Sequence, residues 1–570
     1  MEMEKKNLAI IILAIVLAAS GIGNIVLAIT GGFVQAEAEE KEVLKVSRTS
    51  NPVTFDPCDS WDSVSNDVLS QVVEQLIFFD YTDLTLYPQL CVDWVWDDLT
   101  HITFELRQNV YFHDGALFTA EDVKHTYDRL NYLGNSSGTL PATEVQAFAA
   151  SIYKFGNGTP IIKEIIINSD YNCTMVLNAP FAPIEGLLAY TGSSIVSKSS
   201  SPADTLIDLS TDIVIGTGPF KMVRYVPNSE VRFARWERYW RTGAYWDEVV
   251  YVYYSDATTA DQAMLALDVD YRGQCTPAVK AQMEADPNIH VEEIGVGTVY
   301  RYVTFNSERI NMLERKAIAH AYNYTFHLND ILEGTAMKAN SIVPPGFPGY
   351  NASVVGGTYN VPKAREYMAM AHPEAAGWDV GSQTWGSDVF TPGVDESKWT
   401  SANFLEDIGF RRHPASSVAA QMLVRFTEDM LLIGIEIVDQ PMTWADYIQE
   451  AAADPSFIGV CYTGWGPDYF ETFNMIDPLV NPASASNFAQ IDIDEITENL
   501  DKAAKETDTL ERYELYKKLQ YLVIDKYAVH MPTEYEFLYA VVANTLKGFP
   551  FNINEDLYWW PTYEGPNTWP

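Results

Sequence analysis

Residues 104–130 read FELRQNVYFHDGALFTAEDVKHTYDRL, and two histidines and three acids lie close together in the middle of this stretch. Such a density is typical of a site that holds a metal or moves a proton. A structural explanation is also available. Residues 102–106 alternate as a strand does, and 113–115 have the composition of a tight turn. Thr119 precedes Asp122 by three residues, which is the spacing of a helix N-cap with an acid in the first turn. The stretch therefore predicts a strand, a turn and a capped helix.

The two histidines of this stretch, His113 and His125, lie on opposite sides of the predicted cap. They do not have the HExxH spacing that places two imidazoles on one face of a helix. Structural use of both is therefore favoured over a metal site. The sequence predicts neither a metal nor a cofactor.

The same stretch resembles the signature of the family 5 extracellular solute-binding proteins, the dipeptide- and oligopeptide-binding components of ABC importers. The resemblance continues in order along nearly the whole chain after the N-terminal segment. The further matching segments are FDPCDSWDSVSNDVLSQVVEQLIFFD (55–80), GTGPFKMVRYVPNSEVRFARWERYW (216–240), RYVTFNSERINMLERKAIAHAYN (301–323), GWGPDYFETFN (464–474) and LKGF (546–549). Six ordered matches identify the chain as a member of this family.

This resemblance implies an α/β fold of the periplasmic-binding-protein-like type II, with two lobes, a hinge and an inserted subdomain. Lobe I is expected from residues 43–83, 206–298 and 528–570, the inserted subdomain from 84–205, and lobe II from 299–527. The residue pattern agrees with a mixed α/β protein, because extended stretches at 291–305 and 527–542 alternate with helical periodicity at 313–322 and 510–522. Two extended crossings between lobes predict a hinge, with a cleft that closes over its ligand.

Composition narrows the function. The 570 residues include 77 acids and 37 bases, a formal charge of −40, and the isoelectric point is about 4.4. A chain this acidic repels phosphate backbones, so we expect no nucleic-acid partner. Its 47% hydrophobic content is enough for large cores and excludes a disordered chain.

The N-terminus predicts a membrane anchor. Lys5 and Lys6 precede the uncharged stretch 8–29, which is long enough to span a bilayer as a helix. Basic residues before it predict a cytoplasmic tip and an extracytoplasmic body on the cell membrane. The alternative is a signal peptide cleaved near Ala36-Glu37-Ala38. Residues 1–42 are thus an anchor or signal segment with a linker.

Cysteines and glycosylation sequons are compatible with an exported protein. The five cysteines lack CxxC spacing, so a zinc or redox motif is unsupported, while one or two disulfides are compatible with an extracytoplasmic location. The sequons stand at Asn135, Asn157, Asn172, Asn323 and Asn351. They allow a glycoprotein.

The stretch from about 346 to 416 is rich in Gly, Pro, Ser and Trp. It is either an exposed insertion or a lid over the cleft. Arg411, Arg412 and His413 lie near its end. In so acidic a protein these bases either pair with surface acids or receive a carboxylate of the ligand.

The resemblance also points to the ligand site. In peptide-binding members, the segment that matches TGWGPDYFE (463–471) lines the cleft, and its aspartate receives the α-ammonium group of the peptide. Carried over to this chain, Trp465 becomes a wall and Asp468 the ammonium partner, with Tyr469 beside them. Many relatives continue with Asp-Pro where this chain has Glu471-Thr472, so Glu471 adds a carboxylate that we expect at the rim. The alternative is a solvated loop acid next to a packed tryptophan.

Together these features predict a monomeric binding protein, not an enzyme, which captures di- or oligopeptides and delivers them to the permease and ATPase subunits of an importer. An oligosaccharide or another small solute is the alternative ligand, and a tethered solute sensor is the alternative role. A hydrolase is disfavoured. The GxSxG spacing at 134–138 follows a capped helix rather than a strand.

Overall fold

The computed structural model describes residues 27–29, 32–34, 41–60, 62–80, 85–134, 152–155, 158–209, 213–405, 408–414, 416–442, 459–484, 486–549, 551 and 557–564. Within these ranges, strands and helices alternate along most of the chain. The strands form one large sheet and five smaller ones. This mixture is the α/β composition that the sequence predicts.

The strands are numbered in chain order. They are β1 (Leu27–Ile29), β2 (Gly32–Val34), β3 (Val43–Arg48), β4 (Ile77–Asp80), β5 (Thr85–Pro88), β6 (Cys91–Asp98), β7 (His101–Leu106), β8 (Ile162–Ser169), β9 (Asn172–Leu177), β10 (Phe220–Val226), β11 (Glu230–Arg235), β12 (Glu248–Tyr253), β13 (Tyr271–Gly273), β14 (Ile289–Phe305), β15 (Ala336–Lys338), β16 (Ser382–Gln383), β17 (Phe390–Thr391), β18 (Ile408–Arg412), β19 (Ile437–Pro441), β20 (Val460–Trp465), β21 (His530–Ala543), β22 (Leu546–Lys547) and β23 (Tyr563–Glu564).

The α-helices follow the same order. They are α1 (Ser63–Leu69), α2 (Ala120–Leu133), α3 (Ile184–Leu188), α4 (Ala257–Leu265), α5 (Pro277–Glu284), α6 (Met312–Ala321), α7 (Tyr324–Phe326), α8 (Val361–Ala371), α9 (Glu396–Ser401), α10 (Ser417–Leu431), α11 (Thr472–Val480), α12 (Asp494–Lys505) and α13 (Thr509–Tyr521). The helices predicted at 313–322 and 510–522 correspond to α6 and α13. A π-helical turn, Leu522–Lys526, continues α13 toward β21.

The large sheet has eleven strands and connects the two halves of the molecule. Its order is β10-β11-β12-β3-β13-β21-β14-β20-β18-β19, with β15 attached to β21. The β12–β3, β3–β13, β18–β19 and β18–β20 pairs are parallel. Strands from the first half of the chain lie at one end of the sheet, and strands from the second half lie at the other. The two long strands β14 and β21 stand in the middle and join the halves.

The pairing of β14 with β21 is interrupted halfway along. Its register shifts between Glu293 and Gly295 and again between Val296 and Tyr300. Gly295 has a φ of 120°, which residues with a side chain rarely adopt. An interrupted ladder is easier to bend than a regular one. The predicted extended crossings are confirmed, and this fault in their pairing is where we expect the halves to hinge.

The stretch at 104–130 forms the elements that the sequence predicts. Strand β7 lies inside the four-stranded sheet β6-β7-β9-β8, Gly115 has a φ of 91° in the turn, and α2 begins after Thr119. The Asp122 carboxylate accepts a hydrogen bond from the Thr119 backbone N–H at 2.9 Å. Strand, turn and capped helix are therefore confirmed.

Both histidines of this stretch serve the fold. A ring nitrogen of His113 donates to the Gly218 carbonyl at 2.9 Å, and one of His125 donates to the Ser201 carbonyl at 3.1 Å. Across the described ranges, no cluster of three or more His, Cys, Asp or Glu side chains is arranged to bind a metal. The polar side chains of this stretch therefore have structural roles, because they cap a helix and hydrogen-bond to the backbone of neighbouring loops.

The predicted membrane anchor lies almost entirely outside the described residues. Only its last three positions, Leu27–Ile29, are described, and they form a short strand paired with Gly32–Val34. The predicted helix is therefore wrong for these three residues, where adjacent glycines at 31 and 32 disfavour a helix. In the part of the chain that the structure covers, no helix has both the length and the apolar character needed to span a bilayer.

The glycine-rich stretch 346–416 is folded onto the second half of the molecule. It contains α8, α9, β18 and the small β16–β17 hairpin. Trp399 is fully buried, and Arg365 is buried beside it with its guanidinium paired to Glu396 at 2.7 Å. Phe404 packs on the same core. The stretch is thus partly core and partly exposed, because Arg365 and Trp399 are buried while Trp385 and Val394 are 80% and 91% exposed.

No disulfide joins any of the five cysteines, all of which lie within the described residues and are buried.

The sequon asparagines differ in their structural surroundings. Asn135 and Asn157 lie outside the described residues, Asn172 lies in β9, and the Asn323 side chain caps α7. The Asn351 side-chain amide donates to the Lys517 carbonyl at 2.9 Å.

Candidate ligand-binding cleft

A cavity of about 300 Å³, which we call the cleft cavity, lies where the two halves of the molecule meet. The first half contributes α1, β4 and residues near α3. The crossing strand β14 contributes Thr298 and Val299, and the second half contributes residues 466–470. The cavity therefore borders the fault in the β14–β21 pairing. Bending at that fault would change its width.

Asp468 lines the cleft cavity and is held in place by Asn474. The Asn474 side chain accepts a hydrogen bond from the Asp468 backbone N–H at 2.7 Å and donates one to its carboxylate at 3.1 Å. Burial raises the pKa of Asp468, and the hydrogen bond from Asn474 opposes that rise. No Lys, Arg or His of the described ranges forms an ion pair with this half-buried carboxylate. Such a carboxylate would gain most from a cation that enters with the ligand.

Tyr469 also lines the cleft cavity, together with Tyr190. Both rings are almost fully buried, at 7% exposure each. The Tyr190 hydroxyl donates to the Ser60 carbonyl at 2.5 Å, which fixes its ring on the first-half wall. Two aromatic side chains thus line the same cavity as Asp468.

Glu471 does not lie on the cavity rim, where the sequence predicts it. It is only 8% exposed and is the N-cap of α11, accepting from the Phe473 backbone N–H. The Tyr516 hydroxyl also donates to it, and burial raises its pKa. The rim prediction is wrong, because the orphan N–H groups at the start of a helix provide this carboxylate with a structural role.

Trp465 lines neither the cleft cavity nor the neighbouring cavity that its sequence neighbour Gly464 lines. Its indole N–H donates to the Asn474 carbonyl at 3.0 Å. Asn474 is the residue that holds Asp468. Trp465 therefore supports the ligand segment from behind, whereas the sequence predicts a wall of the pocket.

Arg411 and Arg412 line a second cavity of about 340 Å³, which we call the arginine cavity. Arg411 is 2% exposed and packs over Gly409, where a Cβ would come within 2.1 Å of its Nη1. Arg412 forms two hydrogen bonds to Asp439, at 2.9 and 2.8 Å. Arg412 is thus paired with an acid, which is one of the two alternatives that the sequence leaves open for these bases. Arg411 lines the cavity. Gly464 lines the arginine cavity and Gly466 the cleft cavity, so both cavities border the end of β20.

The stretch 346–416 contributes little to the two cavities. None of its described residues lines the cleft cavity, and its contribution to the arginine cavity is limited to residues 411–413 and 416. The lid alternative stays a prediction.

Several lining residues are not singled out by the sequence. Arg301, on β14, lines the arginine cavity and pairs with Glu536 at 3.0 Å. Thr298 and Val299 line the cleft cavity. Thr298 and Val299 could have been found from the sequence, because they lie on the predicted crossing strand and such a strand passes through the cleft. No sequence feature of this kind points to Asn474.

Comparison with known proteins adds a decisive observation. The sequence model of the family described as "Bacterial extracellular solute-binding proteins, family 5 Middle" matches residues 85–487, which is more than half of the chain. The chain belongs to this family. Family 5 membership makes it an extracytoplasmic solute-binding protein, not an enzyme, and confirms the family resemblance seen in the sequence.

Individual relatives agree over nearly the full length. The dipeptide-binding protein of Escherichia coli (strain K12) is 24% identical over 553 residues, covering 93% of this chain and 96% of the relative. Heme-binding protein A of Haemophilus influenzae is 24% identical over 540 residues, covering 90% of this chain and 91% of the relative. Relatives whose names give different ligands are thus about equally similar to this chain in sequence.

A solved structure supports the fold. The ABC transporter-associated periplasmic binding protein DppA from Helicobacter pylori, in complex with the peptide STSA, superposes with a TM-score of 0.71 at 22% identity. The match covers 92% of this chain and 98% of that one. The predicted periplasmic-binding-protein-like α/β fold is confirmed. The exact boundaries of the lobes and of the inserted subdomain stay predictions.

Proposed function

We propose that this protein captures small peptides with a free amino terminus in the cleft cavity and delivers them to the permease and ATPase subunits of an ABC importer. The observation that carries the proposal is the half-buried Asp468 carboxylate, which lines the cavity without an ion-pair partner among the described residues. The relative named as a dipeptide-binding protein and the solved peptide complex support the same ligand class.

The α-ammonium group of a peptide is the complementary cation. It carries three N–H donors and a full charge, and a carboxylate held by Asn474 offers it an oriented acceptor. A charge-assisted hydrogen bond inside a closed cleft is stronger than one in water. Asp468 would therefore anchor the amino end of the ligand, with Tyr469 beside it.

The arginine cavity is the proposed site for a negative group of the ligand. Arg411 is buried there, and Arg301 and Arg412 line the same space. A guanidinium offers a planar set of donors that matches a carboxylate. Arg301 and Arg412 each pair with an acid, and we propose that the guanidinium groups of this cavity contact the ligand carboxylate together. Both cavities border the end of β20, and one peptide could engage both if the cleft closes.

The proposed function is tested by measuring whether the cleft closes when peptide binds. Ligand contacts both halves of the molecule, so binding should stabilise a closed form that bends at the β14–β21 fault. We expect small-angle scattering to show a smaller radius of gyration at saturating peptide. A scattering profile that stays the same at saturation, with binding verified by calorimetry on the same sample, would contradict closure.

We propose further that the apolar stretch that begins at residue 8 is an uncleaved anchor that keeps this monomeric protein at the outer face of the cell membrane. The family description supports an extracytoplasmic location. Full-length protein should fractionate with membranes, and a chain that begins at Glu42 should be soluble and monomeric. N-terminal sequencing of the mature protein checks the anchor. An N-terminus near residue 39 would show that the segment is cleaved and would contradict the proposal.

The described sequons differ in how well they suit glycosylation. At Asn351 the side-chain nitrogen that would carry a glycan already donates to the Lys517 carbonyl. At Asn323 the side chain caps α7. Of the three described sequons, we assign Asn172, in β9, as the one most compatible with modification.

A further inference from the structure

A third cavity, of about 260 Å³, lies beside the cleft cavity in the first half of the molecule, and we call it the side cavity. Four lining residues, Ser70, Phe79, Gln89 and Tyr558, are shared by the two cavities. The two cavities are therefore adjacent and are divided only by side chains that line both.

Arg241 is the basic residue of the side cavity, and aromatic rings hold its guanidinium. The guanidinium carbon lies 4.5 Å from the ring centre of Trp240, 5.3 Å from that of Phe78 and 5.6 Å from that of Trp560. Cation–π contacts of this kind fix the plane of an arginine but use none of its N–H donors. Among the described residues, Arg241 forms neither a hydrogen bond nor an ion pair.

A second arginine makes the contrast clear. Arg107 lies over Trp240 at 4.1 Å, yet its guanidinium donates to the backbone carbonyls of Gln89 and Cys91. Its donors therefore have structural acceptors. Of the two arginines that share the Trp240 ring, Arg241 is the one whose guanidinium has no hydrogen-bond acceptor among the described residues.

The acid next to Arg241 is already committed to other donors. Glu74 is 2% exposed, and its carboxylate accepts from Thr217 at 2.8 Å, Tyr239 at 2.9 Å and Trp240 at 2.8 Å. It partly balances the charge of Arg241 from a distance, but its oxygens are occupied. Asp80 also lines the cavity and has an interaction partner of its own.

We propose that the side cavity binds a carboxylate carried by the solute, with Arg241 as its partner and the rings of Phe78, Tyr239 and Trp560 against the attached carbon chain. A guanidinium binds a carboxylate in a bidentate manner, whereas a neutral amide of the same shape leaves part of its donors unused. Because it assigns a side-chain specificity to the same ligand, this proposal rests on the proposed peptide-binding function. For a peptide, the group is an acidic side chain.

Matched tripeptides test the assignment. Full-length protein in detergent is titrated calorimetrically with three pairs, each carrying Glu or Gln at position 1, 2 or 3. We expect Glu to bind about tenfold tighter than Gln at one position, and this preference to vanish in Arg241→Gln. Arg238→Gln is the matched control, because Arg238 stacks on Tyr111 at 3.6 Å but does not line the side cavity. The proposal is overturned if Glu and Gln bind equally at all positions, or if Arg241→Gln keeps the preference.

A probe independent of peptides separates this proposal from the proposed function. Benzoate is titrated into the same protein, and the indole N–H resonances of Trp240 and Trp560 are followed by NMR. We expect a saturable shift in the wild type and in Arg238→Gln, and none in Arg241→Gln. If no peptide binds at all, the proposed function fails, and this titration alone decides the side cavity. The absence of a saturable shift then overturns it.

Discussion

Asp468→Ala should weaken the binding of peptides with a free amino terminus by about 2–5 kcal/mol, the range found when one partner of a buried charge pair is truncated. The carboxylate lines the cleft cavity and is positioned by Asn474, so its removal leaves the ligand ammonium without an anion. N-acetylated peptides lack that charge and should lose much less. Calorimetric titration of the wild type and the variant with matched free and acetylated peptides measures the difference.

The fold should not suffer from the same change. Burial raises the pKa of Asp468, which means that the ionised carboxylate destabilises the empty protein at neutral pH. Removing it should leave the melting temperature unchanged or higher. Asp501→Ala is the control, because this exposed acid on α12 lines none of the three cavities. It should change neither the peptide affinity nor the melting temperature. Equal binding of free peptides by wild type and Asp468→Ala would contradict the ammonium assignment.

The raised pKa also predicts a pH dependence of opposite sign for binding and for stability. As the pH falls through the pKa of Asp468, the carboxylate is protonated and peptide affinity should decrease. The loss should begin above the pH at which an exposed aspartate titrates, about 3.9. Protonation of this one group should meanwhile stabilise the empty fold, because its folded-state pKa lies above its unfolded value. Calorimetric titrations and thermal melts across a pH series measure the two trends.

The largest expected effect on stability is at Asp56. This carboxylate is fully buried and pairs with Arg129 of α2, itself 2% exposed. It also accepts hydrogen bonds from the backbone N–H groups of Cys58 and Ile207. Asp56→Ala leaves a buried guanidinium without its anion, which should lower the free energy of unfolding by about 3–5 kcal/mol. Denaturant unfolding, followed by circular dichroism, measures the change.

An exposed pair on the same helix is the control. Lys124 and Asp128 lie 2.9 Å apart with side chains 39% and 54% exposed. Asp128→Ala should therefore change stability by less than about 1 kcal/mol. The double variant Asp56→Leu with Arg129→Met should recover part of the loss, because it removes both charges together. Similar losses for Asp56→Ala and Asp128→Ala would show that the buried pair has no special weight.

Much of the fold could be predicted because its signals are local. The N-cap pair of Thr119 and Asp122 lies within four residues, and the alternation over 291–305 is visible as a run. The structure contains both, as the capped helix α2 and as strand β14. Local patterns of this kind do not depend on the rest of the chain.

The site was less predictable because its geometry depends on distant parts of the chain. The motif placed Asp468 in the segment that lines the cleft, but it could not show that Glu471 turns inward as a helix cap beside Tyr516 of α13. Nor does spacing show that Arg411 lines a cavity separate from that of Asp468. Such relations are set by strand order and packing, which have no short-range signature.

The most direct test of peptide capture is mass spectrometry of the small molecules that co-purify with the protein from its native host. A closed cleft retains tightly bound ligand through purification, because dissociation is slow when affinity is high. We predict short peptides with free amino termini, absent from protein that carries Asp468→Ala. A neutral oligosaccharide, or another solute without an ammonium group, found in wild type and variant alike would contradict peptide capture.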